Sequence, residues 1–360
     1  MARGPRDSTR DHSPTSADGG PKPGFQAGFS ILLPGRAAGI FPGYDPEPPT
    51  LQPAVETLRD HLGVARWRPP LRPSWIAACL TLAAVAGAAE PFDAATQADR
   101  PWTRFLAEAF PEGLDPERSL DRPSIRDPGP DTANYPNGPN TLPRGGVYLE
   151  YSPVFYTTAI SGIQPTTYNA EFLLRLGLTD RFEFRIFSSG FTWQAAGFGS
   201  DETTGFSPLI FDAKVHLWEE NEEWFIPATG LEVFVQTPWG SPAFDAGTQP
   251  GILMLFRNTL FWGLVAEYNV GLAADSAQEG LVPIDIIQWA ISKEVYEDFH
   301  LFVHGFQNES ALPRLSAQTV IGGGFVCYPS DRFSVFGNWG AATDLSGPAT
   351  TFQLGAANAF

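Results

Sequence analysis

The side chains of this 360-residue chain that could do chemistry fall into three groups. The first is charged: Glu171, Arg175, Glu183 and Arg185, followed by Asp212, Lys214, Glu232, Arg257 and Glu267. Paired carboxylates such as Glu171 and Glu183 are what general acid and base work requires. Each, however, has an arginine nearby, and a neighbouring cation favours the ionised carboxylate, so a salt-bridged network is the simpler reading. The second group is His300 and His304, whose spacing would suit a metal on a helix. On a strand four residues span about 13 Å, too far for one shared ion. The third group is the hydroxyls. Ser188 and Ser207 stand alone, and no Gly-x-Ser-x-Gly elbow occurs. Neither His300-Leu301-Phe302 nor His304-Gly305-Phe306 has the nearby Ser and Asn of a serine-histidine hydrolase. The residues therefore point to a non-enzyme that needs no cofactor and no metal.

The elements that must carry these charges are strands. In Glu171–Leu178, Phe172, Leu174, Leu176 and Leu178 share one face, while Glu171, Arg175 and Gly177 share the other. After Thr179-Asp180 the pattern returns, with Phe182, Phe184 and Ile186 set against Arg181, Glu183 and Arg185. One hairpin cannot say whether its apolar face meets a protein core or lipid. From Gly146 to Phe360 about twelve such segments follow, at roughly 146–158, 168–178, 181–193, 206–218, 224–237, 251–260, 263–274, 283–294, 299–309, 316–328, 332–343 and 350–360. Tight connections at 179–180, 219–223, 261–262, 295–298 and 329–331 alternate with longer ones, including 194–205, 238–250 and 274–282. That alternation is what an up-and-down transmembrane barrel requires.

Composition narrows the remaining classes. The net charge of −17 argues against nucleic acid as a partner. Only Cys79 and Cys327 are present, which excludes a disulfide framework and leaves Cys327 as a small packing residue. No apolar run is long enough for a membrane-spanning helix in the mature protein. Residues 1–63 are rich in Pro, Gly, Ser and Asp and read as a disordered or mis-annotated extension. Residues 64–89 place Arg66, Arg68 and Arg72 before an apolar run from Trp75 that ends at Ala86-Gly87-Ala88, the pattern of a secretory signal peptide. Residues 90–143 form a Pro-rich, periplasmic or plug-like lead-in with one short helix at 101–110, and residues 144–360 form the barrel.

Within that barrel the charged parity faces the lumen, because a Lys or Arg on the lipid face near the midplane costs about 2–4 kcal/mol. Glu150, Asn269 and Asp285 join the lumen set by the same rule, and the lumen is expected to be polar and mixed in sign. The acidic run at 219–223 is a solvated turn. The last strand ends on Phe360, which resembles the terminal signal read by outer-membrane barrel-assembly machinery.

Taken together, the chain resembles the outer-membrane putative-transporter family described as "putative MetA-pathway of phenol degradation". The resemblance rests on Asp121-Arg122-Pro123, on 142–150 (LPRGGVYLE), on the hairpin at 173–185 and on Gln236-Thr237-Pro238-Trp239-Gly240. It implies passage of small solutes, small aromatic or hydrophobic compounds among them, by passive or facilitated diffusion across a Gram-negative type outer membrane. The lipid bilayer, the assembly machinery and a small-molecule solute are the expected partners. The alternative is a non-transporting barrel, structural or a lipid hydrolase of the membrane phospholipase type.

Overall fold

The computed structural model describes residues 124–158, 165–197, 201–277, 280–310, 318–343 and 350–360. The expected extension at 1–63, the signal segment at 64–89, Cys79, the helix at 101–110 and the lead-in as far as 123 lie outside the described residues. From Val147 the alternating sequence becomes strand: β1 (Val147–Thr157), β2 (Thr167–Thr179), β3 (Phe182–Gln194), β4 (Thr203–Phe206), β5 (Ile210–Trp218), β6 (Ala228–Gln236), β7 (Gln249–Thr259), β8 (Leu264–Ala277), β9 (Gly280–Tyr296), β10 (Phe299–Ser310), β11 (Gln318–Ser330), β12 (Phe333–Ala342) and β13 (Thr350–Ala359). Neighbours pair antiparallel, and β13 returns to β1 in a register from Tyr148 with Ala359 to Thr157 with Thr351. The result is a closed ring of twelve strands, with β4 a short flap paired to β3 alone. Closure leaves the twelve strands of the ring without a free edge, which is the condition for a sheet to stand in lipid.

Three boundaries differ from the sequence reading, each for a local reason. The segment expected at 206–218 is split, because Pro208 cannot donate to a ladder; Phe206 ends β4 and β5 begins at Ile210. The strand expected from 224 begins at Ala228. Before it, Asn221 accepts from the Trp224 N–H at the start of a 3-10 turn, and Phe225 adopts a left-handed φ of 53°. The long connection expected at 274–282 is instead a projecting hairpin, in which β8 and β9 stay paired to Ala277 and Gly280.

Outward faces carry Phe172, Leu174, Leu176, Phe182, Phe184 and Ile186, continued round the ring by Val233, Ile252, Val270, Leu301, Val303 and Ile321. The most exposed apolar side chains are aromatics of the short turns: Trp262 at 79%, Tyr296 at 76%, and Trp224 and Phe225 at 72%. Aromatics gathered at a rim, beyond an aliphatic wall, form the girdle of a transmembrane barrel. Asp285 corrects the expectation made for it. It is exposed and shares its parity with outward Ile287 and Ile291, near the open end of the projecting hairpin, where a carboxylate is not forced inward. Cys327 is half-buried on the outward parity of β11.

Leu174→Arg, on the outer face near the middle of β2, is expected to lower folding stability by about 2–4 kcal/mol. Denaturant titration of folding into lipid vesicles checks this; an unchanged midpoint would take that face out of lipid.

Candidate functional site

Residues 124–146 run inside the ring at its short-turn end, and the lumen side chains are organised around them. Asp131, in a 3-10 turn at Asp131–Ala133, places its carboxylate 2.7 Å from Arg185, 2.6 Å from Lys214 and 3.3 Å from Arg175. All three cations are fully buried. Arg175 also reaches Glu183 at 2.7 Å and Glu150 at 3.0 Å, while Arg185 reaches Asp212 (Nε to Oδ2, 2.8 Å) and Glu232 at 2.7 Å. Charges with so little solvent around them are tolerated only when ion-paired and hydrogen-bonded in this way.

The wall of this cluster has more carboxylates than cations, and the inner segment supplies the missing donors. The N–H groups of Asp131 and Thr132 donate to Glu150 at 3.1 and 2.8 Å, and the Thr132 hydroxyl does so at 2.7 Å. Leu142 N–H donates to Glu183 at 2.8 Å, and Asn137 Nδ2 to Glu232 at 2.7 Å. In return the wall donates to the segment's carbonyls: Arg175 to Gly129 at 2.8 Å, Lys214 to Gly138 at 3.1 Å and Asn338 to Ala133 at 2.9 Å. His216 Nδ1 lies 3.2 Å from the Pro139 carbonyl.

Small wall residues make the fit possible. A Cβ on Gly177 would collide with the Pro143 carbonyl, and one on Gly230 would stand 2.9 Å from that of Pro139. Gly145 N–H donates to Gly177 and Gly177 N–H to Gly146, at 2.7 and 2.9 Å, so the segment adds to the wall's own hydrogen bonding. On the far wall Tyr135 stacks on His304 with ring centroids 3.9 Å apart and meets Phe306 edge-on. At the rim Arg126 donates to Asp298 and, at 2.9 Å, to Asp331, and lies over the Tyr328 ring. These hydrogen bonds raise the Arg126 pKa and hold the Asp298 carboxyl below its ordinary value near 3.8. This rim contact is therefore complete above that pH and is lost as acid titrates Asp298 through its lowered value.

The structure thus brings Arg175, Glu183, Arg185, Asp212, Lys214 and Glu232 into one cluster. Arg257 and Glu267 face each other in register across β7 and β8, with Glu267 bonded to Asn134. Glu171 lies apart, nearer the other end of β2; among the described residues its one hydrogen bond is from Gln353, at 3.4 Å. His300 and His304 are two residues of one strand face, and among the described residues no group of side chains could hold a metal ion. Ser188 donates to the Ser207 carbonyl at 3.1 Å.

Two features were missed from sequence. Asp131 lies in a Pro- and Gly-rich stretch with no periodicity to mark it, and the wall's own charges, among which carboxylates outnumber cations, give no signal that a further anion is needed. The second is an apolar storey inside the lumen, which corrects the expectation of a polar interior. Leu173, Phe187, Ile210, Phe234, Leu253 and Leu255 are buried there together with Phe244 from the β6–β7 connection. Their parity was legible: Leu173 lies between Glu171 and Arg175, and Phe187 follows Arg185 by two.

Residues 130–359 match the family described as "Putative MetA-pathway of phenol degradation". Comparison with curated proteins finds no match. Among solved structures the fold is similar to an outer membrane channel from Pseudomonas putida F1, at 14% identity over 62% of this chain and 99% of that one, with a TM-score of 0.49. It is also similar to the NanC porin (7% identity, 58% and 98% covered, TM-score 0.43) and to the translocator domain of the autotransporter NalP from Neisseria meningitidis (10%, 60% and 88%, 0.39).

Asp131→Asn leaves Lys214 without its carboxylate and is expected to cost about 3–5 kcal/mol, the scale of a broken buried ion pair. Limited proteolysis should then cut within 124–146 while the barrel stays folded by heat-modifiable gel migration. Gly177→Val should free the same segment by collision instead of charge. Protection equal to the native chain in both variants would mean the segment is held by other contacts.

Proposed function

We propose, from the premise that the chain belongs to the "Putative MetA-pathway of phenol degradation" family, that it is an outer-membrane channel for small solutes whose lumen is closed at the short-turn end by residues 124–146. The observation that carries this reading is the reciprocal pairing around Asp131, between a wall of fixed charge and a chain segment outside the barrel's strands. A barrel needed only as a wall could fill its interior from its own strands. Here the filling is a separate segment that meets the wall through the ion pairs and hydrogen bonds around Asp131 as well as through buried Ile125, Leu142 and Tyr135, and the polar contacts can be exchanged for water more readily than the packed apolar ones.

The apolar storey above the cluster supports small aromatic or otherwise hydrophobic compounds as solutes, which is also what the family's description suggests. Passage is by diffusion, passive or facilitated. The bilayer holds the barrel through its aliphatic belt and aromatic rim, since net negative charge offers no attraction to anionic lipid. Phe360, beside Val147 where the ring closes, is the residue that assembly machinery would read. The signal segment at 64–89 provides export.

In planar-bilayer recordings the full-length refolded chain is expected to give small, infrequent openings, and Asp131→Asn to raise the open fraction several-fold. No current from either protein would remove the channel reading.

A further inference from the structure

The exception in the lumen is Glu171. Asp131, Glu150, Glu183, Asp212 and Glu232 each contact at least one Arg or Lys, and Glu267 lies in register with Arg257. Glu171 is 3% exposed, on the same inward parity, and has no cation beside it among the described residues. Among the described residues its Oε1 has no hydrogen-bond partner, and its Oε2 takes one long bond from Gln353 Nε2, which also donates to Ser152 at 2.8 Å. Asp212 and Glu232 also leave one oxygen unbonded, but in each the other oxygen holds Arg185. Two residues along the same face, Asn169 leaves its amide oxygen without a donor as well. The unmet demand at this height is for donors, and a buried carboxylate meets it best with a cation.

The other side of Glu171 is apolar. Leu173 follows it on the inward face and is in register with Phe187, and Phe187 with Ile210, so the carboxylate stands at the edge of the apolar storey. A ligand fitting both surfaces carries a protonated amine on a small apolar body. We infer that Glu171 is the polar end of a lumenal site for small organic ammonium ions, with the amine on Glu171 Oε1 and the hydrocarbon along Leu173 and Phe187. The same carboxylate turns away aromatic carboxylates of equal size, so this site sets the charge preference of the path. The inference rests on the channel reading only for its role in transport, because binding is measured without current.

The test compares benzylammonium, benzyl alcohol and benzoate as probes of the refolded full-length barrel, reading its thermal unfolding by gel migration. At about ten times its dissociation constant, benzylammonium should raise the folded-to-unfolded ratio about tenfold. Benzoate should have no effect, and benzyl alcohol less than the amine. Glu171→Gln should abolish the amine's effect while leaving the barrel heat-modifiable. Equal responses of the wild-type barrel to the amine and to benzoate overturn the inference even if the variant fails to fold. So does an amine response that survives in Glu171→Gln. Amine binding lost in Glu171→Gln, in a barrel that carries no current, upholds the site and overturns the channel reading instead.

Discussion

Arg175, Arg185 and Lys214 are fully buried in one side of a barrel wall, and cations so placed persist only with anions at contact distance. The wall itself supplies four carboxylates, at Glu150, Glu183, Asp212 and Glu232, but it pairs them with the two arginines. Lys214 meets its carboxylate in Asp131, which comes from outside the ring of strands and touches all three cations. The path of residues 124–146 follows from this. The segment must enter the lumen to bring that carboxylate in, its N–H groups then meet the remaining acidic oxygens, and Gly177 and Gly230 leave room for its backbone.

The outside of the ring obeys a different constraint. With the ring of strands closed on itself, the outward side chains need only be apolar, and those at the rim aromatic. Phe225 and Trp262 hold left-handed φ values of 53° and 63°, which cost bulky residues about 1–2 kcal/mol each. Both are highly exposed at short turns, so this cost places aromatic rings at the rim, where an interfacial girdle can recover it. The lumen therefore has three storeys in order from the short-turn end: an ion-paired layer closed by the inner segment, an apolar layer, and polar side chains that include Glu171.

Parity made most of this wall legible in the sequence. Phe172, Leu174 and Ile186 face outward, and Arg175 and Glu183 inward, because a two-residue period allows no other arrangement once the ring closes. Parity fails where the strand leaves the bilayer, as at Asp285, since a rule about lipid has no force there. It also cannot mark the end of a ladder, which Pro208 and the Asn221 turn decide at β5 and β6. The inner segment was the least legible part. Asp131 has no periodic context, and its partners lie 44, 54 and 83 residues away. The apolar storey is legible in principle, because Leu173 and Phe187 occupy the charged parity, but the charges on either side of them mask it.

Residues 124–146 occupy the lumen as part of the folded barrel. Hydrogen-deuterium exchange of the refolded full-length chain tests it most directly, at the amides of Asp131, Thr132, Leu142 and Gly145, which donate to Glu150, Glu150, Glu183 and Gly177. Protection at these four amides is expected to be well above that of an exposed loop. Exchange at the rate of an unstructured peptide, in a barrel whose strands remain protected, would contradict it.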